Sequence, residues 1–151
     1  MKRPWPSAWV ACLVAACGTG EEATPATPIV RDIGLEDARP AALMPGSTLV
    51  LTGSSFVPDF AGPSRFELAG ALDGTSVLVT LPARFIDYDR MEVDWPGGIA
   101  AGLPADAGAL SGTGRLVADN QLDGLMHASA PLLLALDIEP ALTPTVAELQ
   151  N

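Results

Sequence analysis

Glycine and proline interrupt this chain so often that no helix of useful length fits into its central region. The 151 residues include 15 Gly and 14 Pro. Proline removes a backbone donor and clashes with the preceding turn, and glycine loses the most backbone freedom on ordering. The most alanine-rich segment, residues 101–109, is broken by Gly102, Pro104 and Gly108, which leaves room for one turn at most. What survives between the breaks is a series of short runs in which apolar and polar residues alternate. That is the period of a strand with one buried face.

The runs can be followed along the chain. Residues 29–33 are predicted as a first strand, and Pro45-Gly46 as a turn that opens STLVLT over residues 47–52. Residues 65–68 give a weaker short strand, and Leu72-Asp73-Gly74-Thr75 another turn. VLVTL at 77–81 is expected to end at Pro82, which has no N–H for a ladder. In FIDYDRMEVDW at 85–95, Met91, Val93 and Trp95 share one face and Glu92 and Asp94 the other. The phase changes at Asp89 and Arg90, which predicts a bend or bulge there. RLVAD at 115–119, a turn over 120–124, and Leu132, Leu134, Leu136 and Ile138 on one face complete the pattern. Seven to nine strands at this spacing predict an all-β fold, an immunoglobulin-like β-sandwich over residues 29–140. A parallel α/β sheet would need crossover helices, and the sequence offers none. Residues 141–151 contain a last strand-like run, LTPTVAEL, read either as an edge strand or as the start of a following domain.

The N-terminus has a different character. Lys2 and Arg3 precede an apolar run over residues 8–16, the pattern of a secretion signal. Leu13-Val14-Ala15-Ala16-Cys17 resembles the lipobox of bacterial lipoproteins, in which the chain is cut before a cysteine that carries the lipid. That resemblance implies a signal peptide over 1–16 and Cys17 as the lipid attachment site, with the bilayer as a partner. Several acyl chains bury methylene groups at about 0.8 kcal/mol each, enough for stable anchoring. Gly18 stands where an aspartate would favour inner-membrane retention in the Gram-negative lipoproteins this start resembles, so the outer membrane is the implied location. Residues 17–28, with Thr24-Pro25-Ala26-Thr27-Pro28, read as an extended tether.

A second resemblance lies inside the domain. Pro45-Gly46 followed by Thr48, Gly53 and Phe56 looks like the opening of IPT/TIG immunoglobulin-like domains, where a Pro-Gly turn precedes a strand ending in T-x-x-x-x-G-x-x-F. Residues 115–124 resemble the strand and turn near the end of that family. The long insert over 100–111 and the late apolar run at 131–138 depart from it. Independently of the family, Gly53 is expected to supply an unusual backbone angle or a close approach of strands, and Phe56 to plug the core.

Charge narrows the function. Lys and Arg total 8 against 18 Asp and Glu, a net charge of −10 that loss of Lys2 and Arg3 would take to −12. Nucleic acid needs a basic patch and is not an expected partner. The two cysteines, Cys12 and Cys17, both lie in the leader region, so no cofactor or disulfide is expected in the folded body. His127 is the only histidine. Ser129 and Asp123 are near it in sequence, but a triad needs its members held by separate elements. The carboxylates Asp87, Asp89, Glu92 and Asp94 could supply oxygen ligands for calcium, yet Arg90 sits among them and a solvated face is the expected reading. The sequence therefore predicts a non-catalytic, lipid-anchored envelope module for display or protein–protein contact, with envelope or surface proteins as partners. The alternatives are a polysaccharide- or calcium-binding module and an accessory domain of a surface enzyme.

Overall fold

Asp73 and Gly74 both have positive φ, 47° and 83°, the conformation of the tightest two-residue hairpins. This turn joins β4 (Ser64–Leu72) to β5 (Thr75–Asp87), and the two strands pair in unbroken antiparallel register from Leu72↔Thr75 to Ser64↔Ala83. The Asp73 carboxylate accepts the Ala109 N–H at 3.1 Å, which ties the hairpin to the start of β7 (Gly108–Asn120). The computed structural model describes residues 32–142. The remaining strands are β1 (Gly34–Arg39), β2 (Ala42–Leu43), β3 (Thr48–Ser54), β6 (Arg90–Asp94), β8 (Leu125–Ala128) and β9 (Leu132–Ile138).

The described residues form an all-β sandwich of nine strands, linked in the order β1-β3-β6-β5-β4-β7-β9-β2, with β8 beside β7. Strand β5 belongs to both layers. Its residues 75–83 pair with β4, and its residues 84–87 pair with β6. One layer is thus β1, β3, β6 and the end of β5. The other is the start of β5 with β4, β7 and β9, flanked by β2 and β8. This is the strand order of an immunoglobulin sandwich. The β1–β2 segment crosses between layers as well: β1 runs antiparallel to β3, whereas β2 runs parallel to β9. The two crossings draw the sandwich nearly into a barrel.

The alternating residues meet in one core. Leu49 and Leu51 of β3, Met91 and Val93 of β6, Phe66 and Leu68 of β4, and Leu110 and Leu116 of β7 are fully buried, and Phe56 joins them from the loop after β3. Burying each such side chain stabilises the fold by about 1.5–3 kcal/mol. Trp95, in phase with Met91 and Val93, is also in the core.

Of the strand predicted over 29–33, residues 29–31 lie outside the described residues; the first described strand begins at Gly34, and Ile33 is a buried residue ahead of it. Pro82 does not end a strand: it pairs opposite Arg65 one residue before the register with β4 runs out, at the place where β5 changes layers and needs no second ladder partner. The phase change at Asp89 and Arg90 is a hairpin turn over Tyr88 and Asp89, not a bulge, and the register irregularity lies between Phe85 and Asp87. The weak strand at 65–68 belongs to nine-residue β4, and most of the insert over 100–111 precedes a long β7. Gly53 does not carry a positive φ. The left-handed residue of that motif is Ser55, at 60°. Gly53 provides close approach instead, because a Cβ there would overlap the Gly34 carbonyl of β1 and press on the Phe56 ring. The signal segment, Cys17, the tether and residues 143–151 lie outside the described residues.

Candidate functional site

Three loops meet at one end of the sandwich. Residues 55–63 follow β3, Tyr88 and Asp89 connect β5 to β6, and residues 121–124 connect β7 to β8. Backbone bonds lock them together. Phe56 N–H donates to the Tyr88 carbonyl at 3.0 Å, Gly53 N–H to Asp89 at 2.9 Å, and Gln121 N–H to Ala61 at 2.7 Å. Gly34 pairs with Ser54, so β1 starts at this same end.

The loop backbones are rigidly held, yet large apolar side chains stand out from them. Phe60 is 80% exposed, Leu122 66% and Tyr88 64%. Tyr88 packs edge-on against Phe85, with ring centroids 5.4 Å apart, which fixes its direction. Tyr88 is an aromatic that residue type alone can mark for recognition, whereas Phe60 and Leu122 are not marked in that way. The available signal was a bulky apolar residue set among turn formers, as in Pro58-Asp59-Phe60-Ala61-Gly62-Pro63.

The structure divides the acidic strand. Asp87 and Asp89 come together in the β5–β6 turn, where Asp89 N–H donates to Asp87 Oδ1 at 3.1 Å. The hydrogen bond to Asp89 holds the Asp87 carboxyl below the usual aspartate range. The same contact, with the Asp87 charge, pushes Asp89 up. Two like carboxyls in one turn ionise in sequence for this reason. Glu92 is taken up elsewhere by Arg84 and Arg90, and Asp94 faces the Thr48 hydroxyl at 3.4 Å. Among the described residues, no three His, Cys, Asp or Glu side chains converge as a metal site. Added calcium is therefore expected to leave stability unchanged: melting temperatures in millimolar calcium and in chelator should agree within about a degree.

His127 and Ser129 have separate partners. His127 Nε2 lies 2.7 Å from Asp123 Oδ2. The buried Ser129 hydroxyl accepts from Leu116 N–H at 3.0 Å and donates to the Ala130 carbonyl at 2.9 Å. Asp123 also accepts from Leu125 N–H and from the Asn120 amide. Burial opposes its ionisation, but the Leu125 N–H and His127 outweigh that and keep its carboxyl below the usual range. These bonds close the β7–β8 turn. They do not align a base with a hydroxyl, as nucleophilic catalysis requires.

All five described arginines are engaged with carboxylates. Arg39 pairs with Asp37, Arg84 and Arg90 with Glu92, and Arg65 and Arg115 with Glu67. Hydrogen bonds from Arg65 and then Arg115 hold Glu67 below its ordinary value of 4.5. A depressed carboxyl stabilises the fold above the unfolded-state pKa and loses that contribution as pH falls through the folded-state value. Urea midpoints should therefore drop on acidification below about pH 4.5, and Glu67→Gln should flatten that drop.

No family model, curated protein or solved structure matches the chain. Among the described residues no helix is long and apolar enough to cross a membrane.

Proposed function

We propose that this protein is a non-catalytic envelope module, held to a bilayer by acylated Cys17 and making protein–protein contacts through the loop end of its sandwich. One observation carries the reading: a lipobox-like Leu13-Val14-Ala15-Ala16-Cys17 precedes a sandwich whose locked loops expose Phe60, Tyr88 and Leu122. Large apolar and aromatic side chains on a rigid base are the usual anchors of protein interfaces, since little ordering entropy is lost when they dock. The net charge of −10 supports a protein partner over an anionic one. In this reading the outer membrane is the site of anchoring, and the body is related to IPT/TIG domains.

Intact mass of the membrane-extracted protein tests the anchor. The expected chain begins at Cys17 and carries added acyl mass, and Cys17→Ala releases the protein from the membrane fraction. An unmodified chain starting at Met1 would refute the reading. A photo-crosslinking residue at position 60 or 122 should give a discrete adduct in cells, whereas one at the exposed Ser76, beside the β4–β5 hairpin at the other end of the sandwich, should not.

A further inference from the structure

We propose that the upper half of β9 is a self-pairing edge, at which two copies of this chain join their sheets antiparallel. Strand β9 is bonded to β7 along its whole length, from Gly108↔Ile138 to Gly114↔Leu132. Among the described residues its other side is covered only at the bottom, where β2 pairs with Asp137 and Ile138. Asp137 N–H donates to the Ala41 carbonyl at 2.7 Å, so odd-numbered residues of β9 direct their backbone groups away from β7. By the alternation of a strand, the N–H and C=O of Leu133 and Ala135 face the same way. No strand meets them there among the described residues.

The edge stays open because of how the chain crosses between layers. The residues ahead of β2 would have continued up alongside β9, but β1 turns away to pair with β3 in the other layer. The other edges are blunted in familiar ways. Strand β1 carries Glu36, Asp37 and Arg39 and a register shift between Leu35 and Asp37, and β2 has two residues following Pro40. Strand β8 is four residues long. The open part of β9 has no such protection: Leu-Leu-Leu-Ala-Leu over 132–136 has no charge, and Leu133 is 84% exposed.

A second copy is the occupant these features select. Antiparallel pairing of a strand with itself is two-fold symmetric, so one edge satisfies both partners. With the axis at Leu134, Leu133 of each copy lies opposite Ala135 of the other, and each pair exchanges both of its N–H···O bonds. Two chains of charge −10 repel through most of their surfaces, and residues 132–136 let them meet with no carboxylate at the seam. The outer face beside the seam is also low in charge. The register row Leu78, Ala69, Thr113, Leu133 crosses all four strands without an ionisable group.

The test is sedimentation of the full chain carrying Cys12→Ser and Cys17→Ser, so that neither lipid nor thiol links copies. A concentration-dependent monomer–dimer equilibrium is expected. Ala135→Pro removes an N–H that faces outward, so it spares the ladder to β7 and should weaken the dimer ten-fold or more. Leu133→Lys, at an exposed side chain, should do the same with an unchanged melting temperature, and it carries the test if the proline variant fails to fold. Leu134→Cys should form a symmetric disulfide on mild oxidation, because facing non-hydrogen-bonded residues have Cα atoms about 4.5 Å apart. A parent that sediments as a monomer up to about millimolar concentration would overturn the proposal. So would a dimer indifferent to both variants, or a dimer that appears only when residues 143–151 are removed, since the chain's own tail would then be the occupant.

Discussion

Phe56→Ala is expected to destabilise the domain by about 3–5 kcal/mol, the cost of truncating a fully buried ring. Phe56 is 1% exposed and folds back from the loop after β3 into the shared core. Its N–H holds the Tyr88 carbonyl at 3.0 Å, and its ring reaches the space a side chain on Gly53 would fill. The backbone around it is fixed by bonds to two other loops, so the cavity left by alanine cannot collapse. Against a typical total of about 5–15 kcal/mol, most of the stability would go. Urea denaturation of the two proteins measures the difference. Phe60→Ala, four residues on but exposed, serves as the contrast and should stay within about 0.5 kcal/mol of the parent. Equal midpoints for Phe56→Ala and the parent would mean that the Phe56 ring is not packed in the core.

The core was legible in the sequence where side chains alternate inside one layer. The spacing of Met91, Val93 and Trp95 alone puts them on a common face, and all three are buried. Leu132, Leu134, Leu136 and Ile138 likewise turn to one side, although only Leu136 and Ile138 become fully buried, because the upper part of β9 lies at the open edge. What the sequence concealed was the behaviour of strands that change layers. Pro82 reads as a terminator because a proline cannot serve a ladder on both sides. In β5 it does not have to, since residues 75–83 bond to one layer and residues 84–87 to the other. The hairpin at Tyr88 and Asp89 was hidden for a related reason: a turn without glycine or proline leaves only a change of phase, which a bulge would leave too. The loop-end residues Phe60 and Leu122 were invisible as a group, because they lie on different loops and only the bonds from Asp119 N–H to Pro63 and from Gln121 N–H to Ala61 bring those loops together. Tyr88 could be named from its residue type, but its companions could not.

Gly112→Val is expected to be the most damaging single change within the sheets, costing about 3 kcal/mol or more, at or above the upper end of the range for overpacking. Gly112 pairs with Gly70 of β4 on one side and with Leu134 of β9 on the other. A Cβ at Gly112 would overlap the Ala69 carbonyl and lie 2.6 Å from the Gly70 Cα, and a Cβ at Gly70 would meet β7 backbone in the same way. Both obstacles are main chain, and neither can rotate aside as a side-chain end could. The position in the sheet decides the outcome. Gly53 also faces backbone, but its neighbour β1 is an edge strand that can shift outward, so Gly53→Ala should cost less than Gly112→Ala. Strand β7 is held by β4 on one side and by β8 and β9 on the other, and relief there would have to break a ladder. Gly46→Ala supplies the remaining comparison: nothing lies within 4 Å of its Cβ position, although its φ is +85°, so its cost is backbone strain alone, about 1–3 kcal/mol. Denaturation midpoints in the order Gly46→Ala, then Gly53→Ala, then Gly112→Val from highest to lowest would follow from steric contact with fixed backbone. A Gly112→Val protein as stable as the parent would mean that β4 and β7 do not approach as closely as their two facing glycines allow.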